Sequence, residues 1–364
     1  MPKGFSVNER VESVDAATGA RVAQLTSYPT PSSCLWYANT NFTPDSRTLI
    51  LVCQREARRV SPWDLWRVDA DGANLTQMTE CDDASGFVMA PDGSCVYFSR
   101  PGTLWRIGMD DLKEDEVLRH GSDCTGGHGF ISPDGSTYYT AGQTPGNGAK
   151  VDPRRPLGIL CVATDGSISR VDEADEGWVV SLHSCSPGGS GLLAIAVHQG
   201  VKHYLLLDAD LRQAGRFTAS HDFAHCTFLG RKPELQGCAL PPFREVHRIG
   251  VGDETPSVVA RGRTFWHSAA SLDGDWIVAD TNWPDDGLQL IHVPTGHVRT
   301  LCLPRSSQGH AQMTHPHPQF SPDGRMVIFN SDRTGVPQAY LAHVSDEMRA
   351  LTASGRLTVE DRRR

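Results

Sequence analysis

Two histidines separated by one proline, His315 and His317, are the residues of this chain best placed to do chemistry. On an extended segment, side chains two positions apart point to the same side, so one ion can reach both. They lie in Gln312-Met313-Thr314-His315-Pro316-His317-Pro318, where Pro316 and Pro318 lack N–H donors and stiffen the chain. That suits a rim segment better than a paired central strand. Gln312 can add a carbonyl oxygen, and His267, in Thr264-Phe265-Trp266-His267-Ser268, can come from a neighbouring unit. Three imidazoles and an amide are all neutral, so a bound ion keeps its full charge and can polarise an anionic substrate. Mixed nitrogen and oxygen donors suit Mn²⁺, with Fe²⁺, Co²⁺, Ni²⁺ or Zn²⁺ as competitors. His-x-His also occurs among purely structural rim histidines, and the spacing alone leaves both readings open.

The elements that must position these residues are written as a repeat. A turn of the form Ser-Pro-Asp-Gly, followed by a short apolar run, recurs at Thr43-Pro44-Asp45-Ser46, Ala90-Pro91-Asp92-Gly93, Ser132-Pro133-Asp134-Gly135, Ser186-Pro187-Gly188-Gly189, Ser271-Leu272-Asp273-Gly274 and Ser321-Pro322-Asp323-Gly324. A degenerate copy stands at Leu229-Gly230-Arg231-Lys232-Pro233. Copies lie roughly 40 to 55 residues apart, the period of propeller blades. Proline presets the turn, and Asp-Gly supplies a side-chain bond and positive φ. Second hairpins follow, such as Leu65-Trp66-Arg67-Val68-Asp69 and Tyr340-Leu341-Ala342-His343-Val344, with the alternation of strands.

The chain therefore reads as an all-β, seven-bladed propeller, a single domain over residues 1–364. The segment from Val14 to Thr26 resembles the second half of a blade. It is expected to complete the last blade, so that both ends latch the ring. Residues just before each turn line the channel, and His128, His183, His225, His267 and His317 stand there. Blade rotation should gather them at one end of the axis, as metal binding or proton transfer requires.

Composition narrows the function. Lys+Arg 34 against Asp+Glu 43 gives a formal net charge of −9, with no basic cluster before the terminal Arg362, Arg363 and Arg364. This argues against a nucleic-acid partner, while a local cationic pocket for anionic small molecules stays open. The N-terminus lacks a signal-peptide core, no apolar run is long enough to span a bilayer, and the ten cysteines are scattered without a Cys-x-x-Cys pair. Reduced thiols and a cytoplasmic location, away from membranes, are the expectation.

At the histidines the sequence resembles the oligogalacturonate lyases, polysaccharide lyase family 22, as a divergent member. The resemblance is closest in Gln312-Met313-Thr314-His315-Pro316-His317-Pro318, through Phe320-Ser321-Pro322-Asp323-Gly324, to Ser331-Asp332-Arg333-Thr334-Gly335-Val336-Pro337. The opening Asp15-Ala16-Ala17-Thr18-Gly19-Ala20 with Leu25-Thr26 is a second match. It implies a seven-bladed propeller in which Mn²⁺ is held by His267, Gln312, His315 and His317. It also implies a histidine base at His225, with His221 as rival, and an assisting cation where this chain has Lys202-His203. The implied reaction on pectin-derived, short acidic oligosaccharides is β-elimination. The proton at C5, beside a carboxylate, is removed and the C4 oxygen leaves, which becomes feasible once the carboxylate charge is neutralised.

Lys202, Arg244, Arg263 and Arg333 are candidates to hold further carboxylates, with His128 and His183 added at the channel end. The chain departs from the family after the base. A His-Glu-Gly-Pro-His stretch is replaced by the shorter, less polar Cys238-Ala239-Leu240-Pro241-Pro242-Phe243-Arg244-Glu245. That departure keeps two other readings open: a metal-dependent epimerase or eliminase on another sugar acid, and a non-catalytic binding propeller resembling translocation-associated repeat proteins.

Overall fold

Each Ser-Pro-Asp-Gly copy closes on itself. In the last one, Ser321 Oγ donates to Asp323 Oδ1 at 2.6 Å, the same oxygen accepts from Arg325 N–H at 3.0 Å, and Gly324 N–H donates to the Ser321 carbonyl at 2.8 Å. Gly324 sits at φ 69°, a conformation glycine adopts without a Cβ penalty. The same bonds recur at Ser271-Asp273 and Ser132-Asp134. A turn that satisfies its own polar groups fixes strand register locally, and seven such hairpins give seven antiparallel sheets. The computed structural model describes all residues except 57–61, 81–83, 122, 125–127, 144–157, 173–177, 218–222, 310–311 and 357–364.

The sheets form a seven-bladed β-propeller. The inner strands that frame the site are Trp178–Cys185 in blade 4, Phe223–Phe228 in blade 5, Phe265–Ala270 in blade 6 and Gln319–Phe320 in blade 7. Blade 7 joins both ends of the chain: Met326–Ser331 and Gln338–His343 come from the C-terminal side, Arg21–Gln24 and Val11–Val14 from the N-terminal side. Its seam is the register Val22↔Ala342, Ala23↔Leu341 and Gln24↔Tyr340. The N-terminal hairpin thus adds to three C-terminal strands, giving a five-stranded latch. Apolar side chains fill the spaces between blades; Leu49, Leu51 and Trp66 of blade 1 pack with Ile328 and Leu341 of blade 7. One helix, Asp346–Ser354, capped by Ser345 and Gly355, lies on blade 6 with Arg349 over Trp276. No helix among the described residues is long and apolar enough to cross a membrane.

The inner strands are irregular where the histidines stand. The ladder shifts between Leu182 and Ser184, between Ala224 and Thr227, and between Phe265 and Ser268. Each shift brackets a histidine: His183, His225 or His267. A bulge bends its strand and re-aims one side chain, the device that turns these imidazoles toward the channel.

Candidate metal centre

Three buried imidazoles, those of His267, His315 and His317, offer one ring nitrogen each within 4.8 Å of the other two. His267 is the blade 6 member, and its ring centroid lies 4.2 Å from that of His317 and 5.5 Å from that of His315. His315 and His317 do not meet by the extended geometry expected from their spacing. A 3₁₀ turn over Gln312–Thr314 closes with His315 N–H on the Gln312 carbonyl at 2.9 Å, and His317 then takes φ 45°. The two prolines remove N–H groups that a ladder would need, so this segment turns rather than pairs. Asp332 anchors the loop before it, accepting from Ser307 N–H at 2.7 Å and Ser306 Oγ at 3.1 Å. The Ser331 hydroxyl adds a bond to the Pro304 carbonyl at 2.6 Å.

Hydrogen bonds assign the tautomers, because a carbonyl or carboxylate can only accept from a neutral imidazole. His267 Nδ1–H donates to Asp280 Oδ2 at 3.0 Å, which leaves its lone pair on Nε2. His315 Nε2–H donates to the Gly309 carbonyl at 3.0 Å, which leaves Nδ1. That Nδ1 and Nε2 of His317 are buried with no hydrogen-bond partner. Orphaned buried nitrogens are costly, and two in one cluster fit a cation that would pair them. Burial, reinforced by the neighbouring imidazoles, holds His267 and His317 well below the ordinary histidine range, so both stay unprotonated. Unprotonated imidazole is the form that binds metal.

Asp280 is the fixed point beneath them. Fully buried at the end of Trp276–Thr281, it accepts from His267 N–H at 2.7 Å and His317 N–H at 3.2 Å as well as from the His267 ring. His225 completes the cluster, its ring 4.3 Å from that of His267. Its backbone stands at φ 51°, a strained conformation for a non-glycine residue. Its Nδ1–H donates to the Trp266 carbonyl, so Nε2 carries the lone pair. Burial lowers the His225 pKa, against the Trp266 carbonyl and the Asp280 charge, which raise it.

Trp36 and Tyr37, between Ser32–Ser33 and Thr48–Cys53 of blade 1, tie the remaining histidines to this group. Trp36 stacks on His128 at 4.5 Å and contacts His317 at 5.5 Å. Tyr37 contacts His183, His225, His267 and His317 at 6.4, 6.3, 5.4 and 5.8 Å, and its hydroxyl lies 3.4 Å from His183 Nε2. Burial takes His183 down to about 4, helped by the charges of His225 and His128. A histidine depressed in the folded state stabilises above the unfolded value near 6.5, and that stability is lost as pH falls toward the folded value. His183 should account for an acid-side loss on the order of 3 kcal/mol. Urea unfolding of wild type and His183→Gln across this range checks it: the variant should lose less stability on acidification.

Other candidates stand farther out. His128 and Lys202 are exposed, Lys202 at the start of Val201–Leu207, with its charge still felt at His225. Gln312 is exposed, unlike the three imidazoles. Arg244, also exposed, donates to the Gly262 carbonyl at 3.1 Å, and Arg263 pairs with Asp286 at 3.7 Å. Arg333 lies over the Tyr340 ring at 4.5 Å and donates to the Leu303 carbonyl at 3.2 Å, which restrains the metal-side loop. His221 falls outside the described residues. Asp280, Trp36 and Tyr37 were not singled out by sequence reasoning. An acid inside the apolar run Trp276-Ile277-Val278-Ala279 was the available signal for the first.

Blades 5, 6 and 7 of the propeller thus bring four histidines and a buried carboxylate into one cluster. No family model matches the chain. An oligogalacturonate lyase of Dickeya dadantii (strain 3937) is 34% identical over 387 aligned positions, covering 92% of this chain and 96% of its own. An oligogalacturonide lyase of Pectobacterium atrosepticum is 24% identical over 389 positions, with the same coverage. Among solved structures, an oligogalacturonate lyase in complex with manganese superposes with a TM-score of 0.72 at 18% identity, covering 96% of this chain and 100% of its own. One from Vibrio parahaemolyticus gives 0.61 at 16% identity, over 95% and 100%. The chain belongs to the oligogalacturonate lyase family and is a carbon–oxygen lyase.

Proposed function

We propose that this protein cleaves short oligogalacturonates by β-elimination, with a divalent cation at His267, His315 and His317 and His225 as the base. Gln312, exposed at the start of the turn that leads into His315, is a candidate fourth ligand. One observation carries the reading: His225, its Nδ1–H on the Trp266 carbonyl, lies ring to ring with a three-imidazole cluster that has two orphaned nitrogens. Mn²⁺ is the ion we assign because a solved relative is a manganese complex; three imidazoles on their own suit Fe²⁺, Ni²⁺ or Zn²⁺ as well. When bound, such an ion supplies positive charge beside a uronate carboxylate, which makes the proton on the adjacent carbon removable.

His225 Nε2 takes the C5 proton, the C4–O bond breaks, a C4–C5 double bond forms, and the departing oxygen takes a proton from solvent. The Trp266 carbonyl holds the His225 ring through Nδ1, so the accepting nitrogen is fixed before substrate arrives. Lys202 contributes positive charge near the base, and Arg244, Arg263, Arg333, His128 and His183 supply the surrounding polar groups for further uronates. Trigalacturonate and digalacturonate incubated with metal-loaded protein should yield an unsaturated product with new ultraviolet absorbance. Metal-loaded protein that leaves both sugars intact contradicts the reading.

Asp280 acts through the ligands, fixing the His267 tautomer and two backbone N–H groups. Asp280→Asn should weaken metal affinity about 10- to 100-fold, the usual cost of losing such a partner. Titration of the metal-stripped protein with Mn²⁺ measures it, and unchanged affinity would remove Asp280 from the account.

A further inference from the structure

Trp283 is the most exposed large apolar residue of the described chain, at 76% of its surface. It stands in the loop between Trp276–Thr281 and Leu288–His292, with its backbone at φ 45°. A bulky residue in the left-handed region is uncommon, and an indole left in water forgoes burial. The surrounding loop is not slack. Asn282 N–H donates to the Thr264 carbonyl at 2.9 Å, Asp286 N–H to Thr281 Oγ1 at 2.7 Å, and Gly287 N–H to Asp285 Oδ1 at 2.9 Å. The Arg263–Asp286 pair at 3.7 Å ties it to the strand connection that leads to His267. The indole is thus held outward by well-bonded backbone, against two local costs.

Its ring lies 6.4 Å from that of Trp266. Trp266 in turn lies 5.4 Å from the His225 ring, and its carbonyl fixes His225 Nδ1. An aromatic path therefore runs from the base to the outer rim. We propose that Trp283, with Trp266 behind it, is a stacking subsite for a galacturonate ring beyond the pair whose linkage is cleaved. This inference rests on the oligogalacturonate reading. Indoles present a large flat apolar face at low conformational cost, which matches the C–H face of a pyranose. The sugar would lie with its C–H face on the indole and its carboxylate turned away from Asp285 and Asp286.

The test compares wild type, Trp283→Ala and Trp283→Phe on digalacturonate and trigalacturonate, by kinetics and by fluorescence-monitored binding. Trp283→Ala should raise KM for the trimer about tenfold and change the dimer less than about twofold, with Trp283→Phe recovering most of the loss. Equal trimer KM in wild type and Trp283→Ala overturns the subsite and leaves the lyase reading standing. Wild type that binds the trimer without cleaving it, with binding weakened by Trp283→Ala, overturns the lyase reading and keeps the subsite. Wild type that neither binds nor cleaves the trimer overturns both.

Discussion

His225→Gln should lower kcat by about 10²- to 10⁴-fold, the range by which a positioned acid or base accelerates proton transfer. Glutamine keeps an amide N–H that can still meet the Trp266 carbonyl, and it fills similar space, but it has no basic nitrogen. The substitution therefore separates the proton-accepting role from packing against His267. KM should change little, because the lost interaction exists only in the transition state. The variant should bind the same metal, since His225 is not among the three nitrogens gathered within 4.8 Å. A variant that keeps wild-type kcat shifts the base elsewhere, with His221 next to test.

The second large effect is on the ion itself. His317→Ala removes one of two orphaned buried nitrogens and breaks the closest ring pair, 4.2 Å, in the cluster. Metal affinity should fall by more than about 100-fold, beyond the loss expected for an outer partner such as Asp280. Stability reports this independently of catalysis. A ligand at about 100 times its Kd stabilises the native state by about 2.7 kcal/mol. Mn²⁺ should raise the wild-type Tm and leave that of His317→Ala unmoved. A metal-dependent Tm shift of equal size in both proteins contradicts the assignment of His317. Without metal the variant should itself be less stable, because a buried ring packed on His267, Tyr37 and Trp36 is lost, so the metal-induced shift in each protein carries the comparison.

The propeller was legible because its turns are chemically explicit. Ser321-Pro322-Asp323-Gly324 encodes its own hydrogen bonds, and even the degenerate Leu229-Gly230-Arg231-Lys232-Pro233 makes the hairpin, with Lys232 N–H on the Leu229 carbonyl at 3.2 Å. The N-terminal latch was legible too, as an apolar half-blade without a partner. The convergence of His225, His267 and His317 followed from rotation once the repeat was set. The path by which His315 joins them did not. It depends on a 3₁₀ turn, a left-handed His317 and a loop anchored by Asp332, none of which an alternation rule anticipates. Asp280 was hidden for a related reason: a carboxylate on a strand is ordinary in sequence, its two bonds to His267 depend on the bulge within blade 6, and its bond to His317 appears only when blades 6 and 7 are side by side. Trp36 and Tyr37 belong to a blade with no histidine at the matching position, so a search for repeated imidazoles passes over them.

The central claim is that three imidazoles form a metal centre and that His225 serves it without binding the ion. Elemental analysis of wild type, His225→Gln and the double variant His315→Ala/His317→Ala, purified alike and loaded with Mn²⁺, tests it most directly. Equal bound metal in wild type and His225→Gln, and none in the double variant, is the expected result. Equal metal in all three proteins would contradict it.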